Sequence, residues 1–157
     1  MLWSSNLTGG VTIPATNATV MLDLASDLEA DIGHNLYNAT TQRFIGDFVI
    51  RTAASGTAGD QGIVSLGITF VDRDQSNVPD PNDDHYDWLW LRHIPVNVHP
   101  DHATNGGPAE GGFVRIDAKS RRRMRQTHQK LVLLAAHDNA LASNPTLVGG
   151  IRTLFAL

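Results

Sequence analysis

Apolar and polar residues alternate along much of this chain with a period of two, which is the spacing of a half-buried β-strand. The clearest case is residues 63–71, where every second residue from Val64 to Phe70 is apolar and Ser, Gly and Thr stand between them. The pattern predicts a strand with one buried face. The same alternation predicts strands over residues 42–52, 86–96, 113–122 and 148–157. Short runs of β-branched and other apolar residues predict strands over 11–13, 17–24 and 130–137, and a helical turn is the alternative for residues 120–125.

The predicted strands are separated by turn-forming residues and little of the chain has a helical period, so we expect an all-β fold. The predicted architecture is an eight-stranded antiparallel β-sandwich of the jelly-roll type, with two packed sheets. It occupies the 157 residues as a single domain, residues 1–157, in which 1–16 are a candidate extended arm. Residues 53–62 are predicted to be a hairpin loop, and the glycine-rich residues 97–112 a contact loop.

The composition of the chain limits the kinds of site that it can form. Hydrophobic residues make up 41% and charged residues 18%, which with 14 Gly and 7 Pro fits a turn-rich globular fold. The chain has no Cys, which excludes a disulfide, a thiol nucleophile and a zinc–thiolate site. No apolar stretch has the length of a membrane span, and we expect no membrane partner. The net charge of −4 argues against a protein that coats nucleic acid nonspecifically.

The charges are unevenly distributed, with acidic residues concentrated between Asp72 and Asp87 and a basic run from Lys119 to Arg125. Opposed patches of this kind can meet between copies of one protein, and arginines can also hold phosphate. Solvated surface is the alternative for both patches. The basic candidates for an interface or a phosphate contact are Arg121, Arg122, Arg123 and Arg125. The candidates for contact through the acidic loop are Asp80, Asp83 and Asp84.

Aromatic residues fall at alternate positions of one predicted strand, at Tyr86, Trp88 and Trp90. A strip of this kind can stack on sugar rings or on nucleobases. Packing in the core or against another subunit explains the same strip without a ligand. We therefore keep the three residues as a candidate aromatic platform.

No other motif gives a strong reason to expect catalysis. His93, His99 and His102 are weak candidates for a metal site, with solvated histidines as the alternative, and we expect no cofactor. The Asp-rich loop has oxygen ligands at alternate positions, but Asp and Asn beside Pro are also ordinary turn formers. The chain lacks a nucleophile elbow, a phosphate loop and a dinucleotide fingerprint. We expect that it is not an enzyme.

Five short segments within residues 42–157 form a recognisable pattern: Pro79–Pro81, Asp87–Trp90, Ile116–Lys119 with the arginines that follow, Leu131–Leu133 and Gly150–Leu154. This pattern resembles small virion proteins of bacteriophages and related viruses. The resemblance implies a jelly-roll coat, capsid-associated or decoration subunit that is located in the virion and assembles with its own copies and with other virion proteins. It departs from coats with an arginine-rich arm because residues 1–42 contain no Lys or Arg, so genome contact has weak support. The alternative function is a carbohydrate-binding module of the lectin type that uses exposed Trp residues.

Overall fold

Eight β-strands form the described part of this computed structural model. The structure describes residues 2–15, 19–23, 41–52, 57–72, 79–82, 87–101, 107–120, 129–138 and 140–156. The strands are β1 (Leu2–Thr12), β2 (Thr19–Asp23), β3 (Thr41–Thr52), β4 (Gln61–Asp72), β5 (Trp90–Asn97), β6 (Gly107–Ser120), β7 (Gln129–His137) and β8 (Thr146–Ala156).

The strands form two four-stranded antiparallel sheets. Sheet I has the order β1-β8-β3-β6 and sheet II has the order β5-β4-β7-β2. One bridge between Asn97 and Glu110 connects β5 to β6 and so joins the two sheets at one edge. The predicted all-β class and the two antiparallel sheets are confirmed.

Sheet I shows the alternation that its sequence predicts. Phe48 and Ile50 on β3 are buried, and Val114 and Ile116 are buried on the neighbouring β6. The residues between them on β6, such as Arg115, are exposed. One face of sheet I therefore packs into the core and the other faces solvent, as expected for an antiparallel sheet of a sandwich.

Sheet II departs from this pattern because its central strands are buried on both faces. On β4, Leu66 and Ile68 belong to one face, whereas Ser65 and Thr69 belong to the other, and all four are at most 3% exposed. The prediction of a half-buried strand over residues 63–71 is therefore wrong for its outer face. Residues 87–89, just before β5, are part of the cause. The ring of Trp88 covers Gly67 and packs against Val71, Val132 and Leu134, and the hydroxyl of Thr69 donates to the carbonyl of Asp87.

The predicted hairpin over residues 53–62 is also wrong, because the strands on either side of it belong to different sheets. The strand β3 pairs with β6 and β8, and β4 pairs with β5 and β7. Alternation predicts that a segment is extended, but it carries no information about the partner strand. The chain therefore crosses from sheet I to sheet II between β3 and β4.

The strand bounds around the predicted contact loop also differ from those expected. The strand β5 begins at Trp90 and continues through Pro95 to Asn97. Proline is tolerated there because β5 is the edge strand of sheet II, where a missing N–H need not break a ladder. The strand β6 already begins at Gly107, so the last residues of the predicted loop 97–112 belong to a strand.

Candidate functional site

The outer face of sheet II carries a groove of about 430 Å³. It lies where β4 and β5 meet the turn at residues 79–82 and the residue that follows β7. The lining residues are Ala15, Ile63, Ser65, Asp80, Asn82, His93 and Asp138. Most of these side chains are polar, and two are carboxylates, so the groove suits a polar or cationic group more than an apolar one.

A serine and a histidine form the floor of the groove. Residues Ser65 and His93 are directly opposite in the ladder between β4 and β5. The register brings Oγ of Ser65 to 2.7 Å from Nδ1 of His93. Ser65 is fully buried, whereas His93 is exposed. The imidazole is therefore anchored at one nitrogen by a buried hydroxyl, and its ring lies on the outer face of the sheet.

The acidic residues of the groove are engaged in turns. The Oδ1 atom of Asp80 accepts a hydrogen bond from the backbone N–H of Asn82 at 2.9 Å. The amide of Asn82 in turn donates to the carbonyl of His137 at 3.3 Å, which fixes the turn to the end of β7. The Oδ1 atom of Asp138 accepts from the backbone N–H of Ala140 at 3.2 Å. Asp80 thus acts as the turn former that its proline neighbours indicate.

Trp88 packs against sheet II beside the groove. Its ring covers Gly67 and contacts a buried cluster formed by Val71, Val132 and Leu134. The residue after it is fixed by a hydrogen bond of 2.8 Å from the backbone N–H of Leu89 to the carbonyl of Ile68. The missing Cβ of Gly67 gives the ring its space, because a side chain at that position would collide with it.

The structure describes two of the three residues of the candidate aromatic platform. Trp88 precedes β5 rather than lying in it, and Trp90 is the half-buried first residue of that strand. Tyr86 lies outside the described residues. The side chain of Trp88 contributes its contact area to packing on the sheet.

The candidate metal ligands do not form a cluster in the described residues. His93 lies in the groove, and His99 follows β5, where its Nδ1 atom accepts from the backbone N–H of Asp101 at 3.3 Å. His102 lies outside the described residues. Within the described ranges, no three side chains of His, Asp or Glu are close enough to hold a metal ion together.

An ion pair that the sequence did not predict lies on the outer face of sheet I. The cross-strand partners Asp47 and Arg115 form two hydrogen bonds, Nε to Oδ1 at 2.9 Å and Nη2 to Oδ2 at 3.3 Å. The hydrogen bond and the attraction of Asp47 raise the pKa of Arg115 above its ordinary value. Phe113, two residues before Arg115, is 72% exposed on the same face.

The predicted charged patches are described only in part. Asp80 is placed in the groove, whereas Asp83 and Asp84 lie outside the described residues. The basic run at Arg121, Arg122, Arg123 and Arg125 also lies outside them, in the connection between β6 and β7. The proposed contact between these patches therefore stays a prediction.

The sequence did not predict the groove, because its residues come from five separate segments. Ser65 and Ile63 belong to β4, His93 to β5, and Asp138 follows β7. Only the register of the sheet brings them together. The one available signal is the cluster of prolines around Asp80, which predicts a fixed turn.

Comparison with known proteins adds little to this description. No family model and no curated protein sequence matches the chain. A solved structure from Desmodium yellow mottle tymovirus is similar, with a TM-score of 0.39 and 12% sequence identity, over 99% of this chain and 86% of that chain. A TM-score this low carries no argument about fold or function. The structure itself defines the class, an all-β protein built from two antiparallel sheets.

One finding concerns membranes. Among the described residues, no helix has the length and the apolar character that crossing a membrane requires.

Proposed function

We propose that this chain is a virion structural protein, a jelly-roll subunit that assembles with many copies of itself and with other virion proteins. The observation that carries the proposal is the pairing of the strands. The first strand pairs with the eighth, the second with the seventh, the third with the sixth, and the fourth with the fifth. These four pairs are the rungs of one long antiparallel ribbon.

The remaining pairings support the jelly-roll reading of this ribbon. The β3–β8 ladder joins two rungs within sheet I, and the β4–β7 ladder joins the other two within sheet II. Rungs therefore alternate between the sheets, as they do when a ribbon of four antiparallel pairs is wrapped around a core. Jelly rolls of eight strands serve as viral coat subunits, as lectins and as cupins, so the choice among these functions depends on the residues.

The packing of the core favours a structural role over a cupin-type metal enzyme. The space between the sheets is filled by aliphatic and aromatic side chains, among them Phe48, Leu66 and Ile116, all at most 2% exposed. A cupin-type site lies inside the fold, whereas the candidate ligand His93 is on the outer face of sheet II. The described core is therefore apolar, as a structural subunit requires.

The placement of Trp88 favours a structural role over a lectin-type module. A sugar-binding platform needs an aromatic face that is open to solvent. The ring of Trp88 is instead packed on Gly67 and the buried cluster beside it. Of the two described aromatic residues that a carbohydrate-binding site would use, Trp88 therefore packs on the protein itself.

A shell subunit functions through its shape and its contacts with neighbouring subunits, and it needs no catalytic residue. Symmetry repeats each contact many times, so individual contacts can be weak. The acidic loop at Asp80 and the basic run around Arg122 and Arg123 supply opposite charges that select the register between neighbours.

Sedimentation through a density gradient tests the proposal. The purified chain is expected to sediment as particles of many copies, and the Arg122→Glu/Arg123→Glu variant is expected to sediment as small species. Arg51→Glu/Arg92→Glu is the matched control, because it changes the net charge equally at two exposed strand residues.

The control is expected to assemble like the unmodified chain. An unmodified chain that sediments as a single molecule at every concentration contradicts the proposed function. Particles formed equally by the Arg122→Glu/Arg123→Glu variant leave the function standing and contradict the role of the basic run.

A further inference from the structure

Four of the described strands lie at sheet edges, and three of these four carry features that discourage pairing with another chain. The strand β2 has five residues, an irregular register and a terminal Asp23. The strand β5 contains Pro95 and is bridged to β6. The strand β6 carries charges, including Arg115 and Asp117. Short length, proline, charge and irregular register are the devices by which proteins protect their sheet edges.

The fourth edge strand, β1, lacks charge and proline. It has 11 residues, and its sequence Leu-Trp-Ser-Ser-Asn-Leu-Thr-Gly-Gly-Val-Thr contains neither feature. It pairs with β8 on one side, and no other described strand pairs with it on the other side. Alternate backbone N–H and C=O groups of an edge strand point away from its sheet and are available to another strand.

The regular part of this edge is its first half. Leu2–Leu7 pairs with β8 in continuous register, from Leu154 to Gly149. The register then shifts before Val11, and Gly10 has a φ of 76°, which bends the second half away from regular strand geometry. Six consecutive residues are therefore available as a straight pairing edge.

We propose that Leu2–Leu7 of β1 pairs antiparallel with the same segment of a second copy. A segment without charge meets no like-charge repulsion when it is paired with itself, and a two-fold pair is a closed assembly. The two-fold axis is perpendicular to sheet I, because only that axis makes identical strands antiparallel with their faces matched. The two copies of sheet I then form one continuous sheet of eight strands, with β1 beside β1 at its centre.

This pairing specifies one contact of the subunit proposed above, but it does not depend on particle formation. A two-fold dimer is expected even if the chain builds no shell. A shell can also be built through contacts other than β1. The proposed pairing of β1 and the proposed virion function can therefore fail separately.

Charge substitutions on β1 test the pairing. Residues two apart in a strand share one sheet face, so Ser4→Lys/Asn6→Lys places like charges opposite each other whether the two-fold axis passes through Ser4 or Ser5. The dimer dissociation constant is expected to rise at least about tenfold. Thr12→Lys is the control, since it adds a charge to the same strand beyond the register shift.

At concentrations below those at which particles form, sedimentation equilibrium is expected to give a mass for the unmodified chain that approaches twice 17.0 kDa. Mixing the Ser4→Lys/Asn6→Lys and Ser4→Glu/Asn6→Glu variants is expected to restore the dimer, because opposite charges then face each other. A variant that merely misfolds would not be rescued by mixing.

Hydrogen exchange gives a second measurement, in which amides of residues 2–7 are expected to become more protected as the protein concentration rises. A strictly monomeric unmodified chain overturns the proposal. A dimer equally stable in the Ser4→Lys/Asn6→Lys variant also overturns it, as does a mixture that stays monomeric. Particle sedimentation of that variant reports on the proposed function independently.

Discussion

Replacing Gly67 by Ala is expected to displace the Trp88 ring from the outer face of sheet II. A Cβ atom on residue 67 would lie 2.5 Å from Cε3 and 3.1 Å from Cη2 of that ring, well inside the separation of about 3.5–4.0 Å at which carbon atoms attract each other. The ring cannot shift inward, because it packs against Val71, Val132 and Leu134. It must therefore lift and expose part of that cluster.

The cost follows from overpacking of a well-filled site, which typically destabilises a protein by about 1–3 kcal/mol. Urea unfolding, monitored by circular dichroism, is expected to show a lower midpoint for Gly67→Ala, and the free energy of unfolding is expected to fall by an amount in this range. In a Trp88→Ala background the ring is absent, and the added methyl group is then expected to cost almost nothing. The reduced backbone freedom of the unfolded chain can even stabilise the fold by about 0.4–1 kcal/mol.

The double-mutant cycle separates this contact from a general intolerance of the strand to substitution. A coupling free energy of at least about 1 kcal/mol is expected between residues 67 and 88, which is within the usual range for residues in contact. Gly67→Ala that costs the same with and without the tryptophan would refute the reasoning, because the ring would then not be the obstacle.

Two further outcomes follow from sheet I. Gly149→Ala is expected to lower the free energy of unfolding more than Gly67→Ala does and to impair folding. The new Cβ would meet backbone atoms, namely the carbonyl oxygen of Asp47 and Cα of Phe48 at 2.8 Å, and the φ of 149° also disfavours a side chain. Expression yield and thermal unfolding test this prediction, and a stable variant would contradict it. Asp47→Asn is expected to lower the urea midpoint slightly in dilute buffer. In about 1 M salt, where charges are screened over about 3 Å, no decrease is expected. Because the pKa of Arg115 is raised, the stability that its charge contributes is present at neutral pH and is lost only in strong base, as pH rises through the folded pKa of Arg115. A salt-independent loss would show that the ion pair is not its source.

The strands of the fold were predictable because alternation is a local property. Residues such as Val64 and Leu66 are buried by the face they occupy, and that face follows from their spacing. The partner of each strand is a property of the whole chain. The wrong hairpin between β3 and β4 shows this. Nearness in sequence favoured a pairing of these two strands, whereas β3 pairs with β6 and β8, and β4 pairs with β5 and β7.

The burial of the outer face of sheet II shows a second limit. Ser65 and Thr69 are polar, and their alternation with Leu66 and Ile68 indicated exposure to water. The covering segment around Trp88 satisfies part of that face with hydrogen bonds, such as the one of 3.0 Å from Oγ1 of Thr69 to the carbonyl of Asp87. A glycine inside a strand can mark close approach of another group, so Gly67 was the sequence signal for this cover.

The groove on sheet II required three-dimensional register to be recognised. The opposition of Ser65 and His93 depends on the pairing of β4 with β5, and Asp138 joins them from the end of β7. None of these residues stands in a motif. Asp80 and His93 were among the predicted site residues. Asp80 was chosen for its charge rather than for the turn that it stabilises, and His93 was a weak candidate for a metal ligand.

Electron microscopy of the purified chain at high concentration tests the central claim most directly. The account predicts closed shells or rings of regular size in which the two-sheet unit repeats with symmetry. Solitary molecules of one chain's mass at every concentration would contradict it.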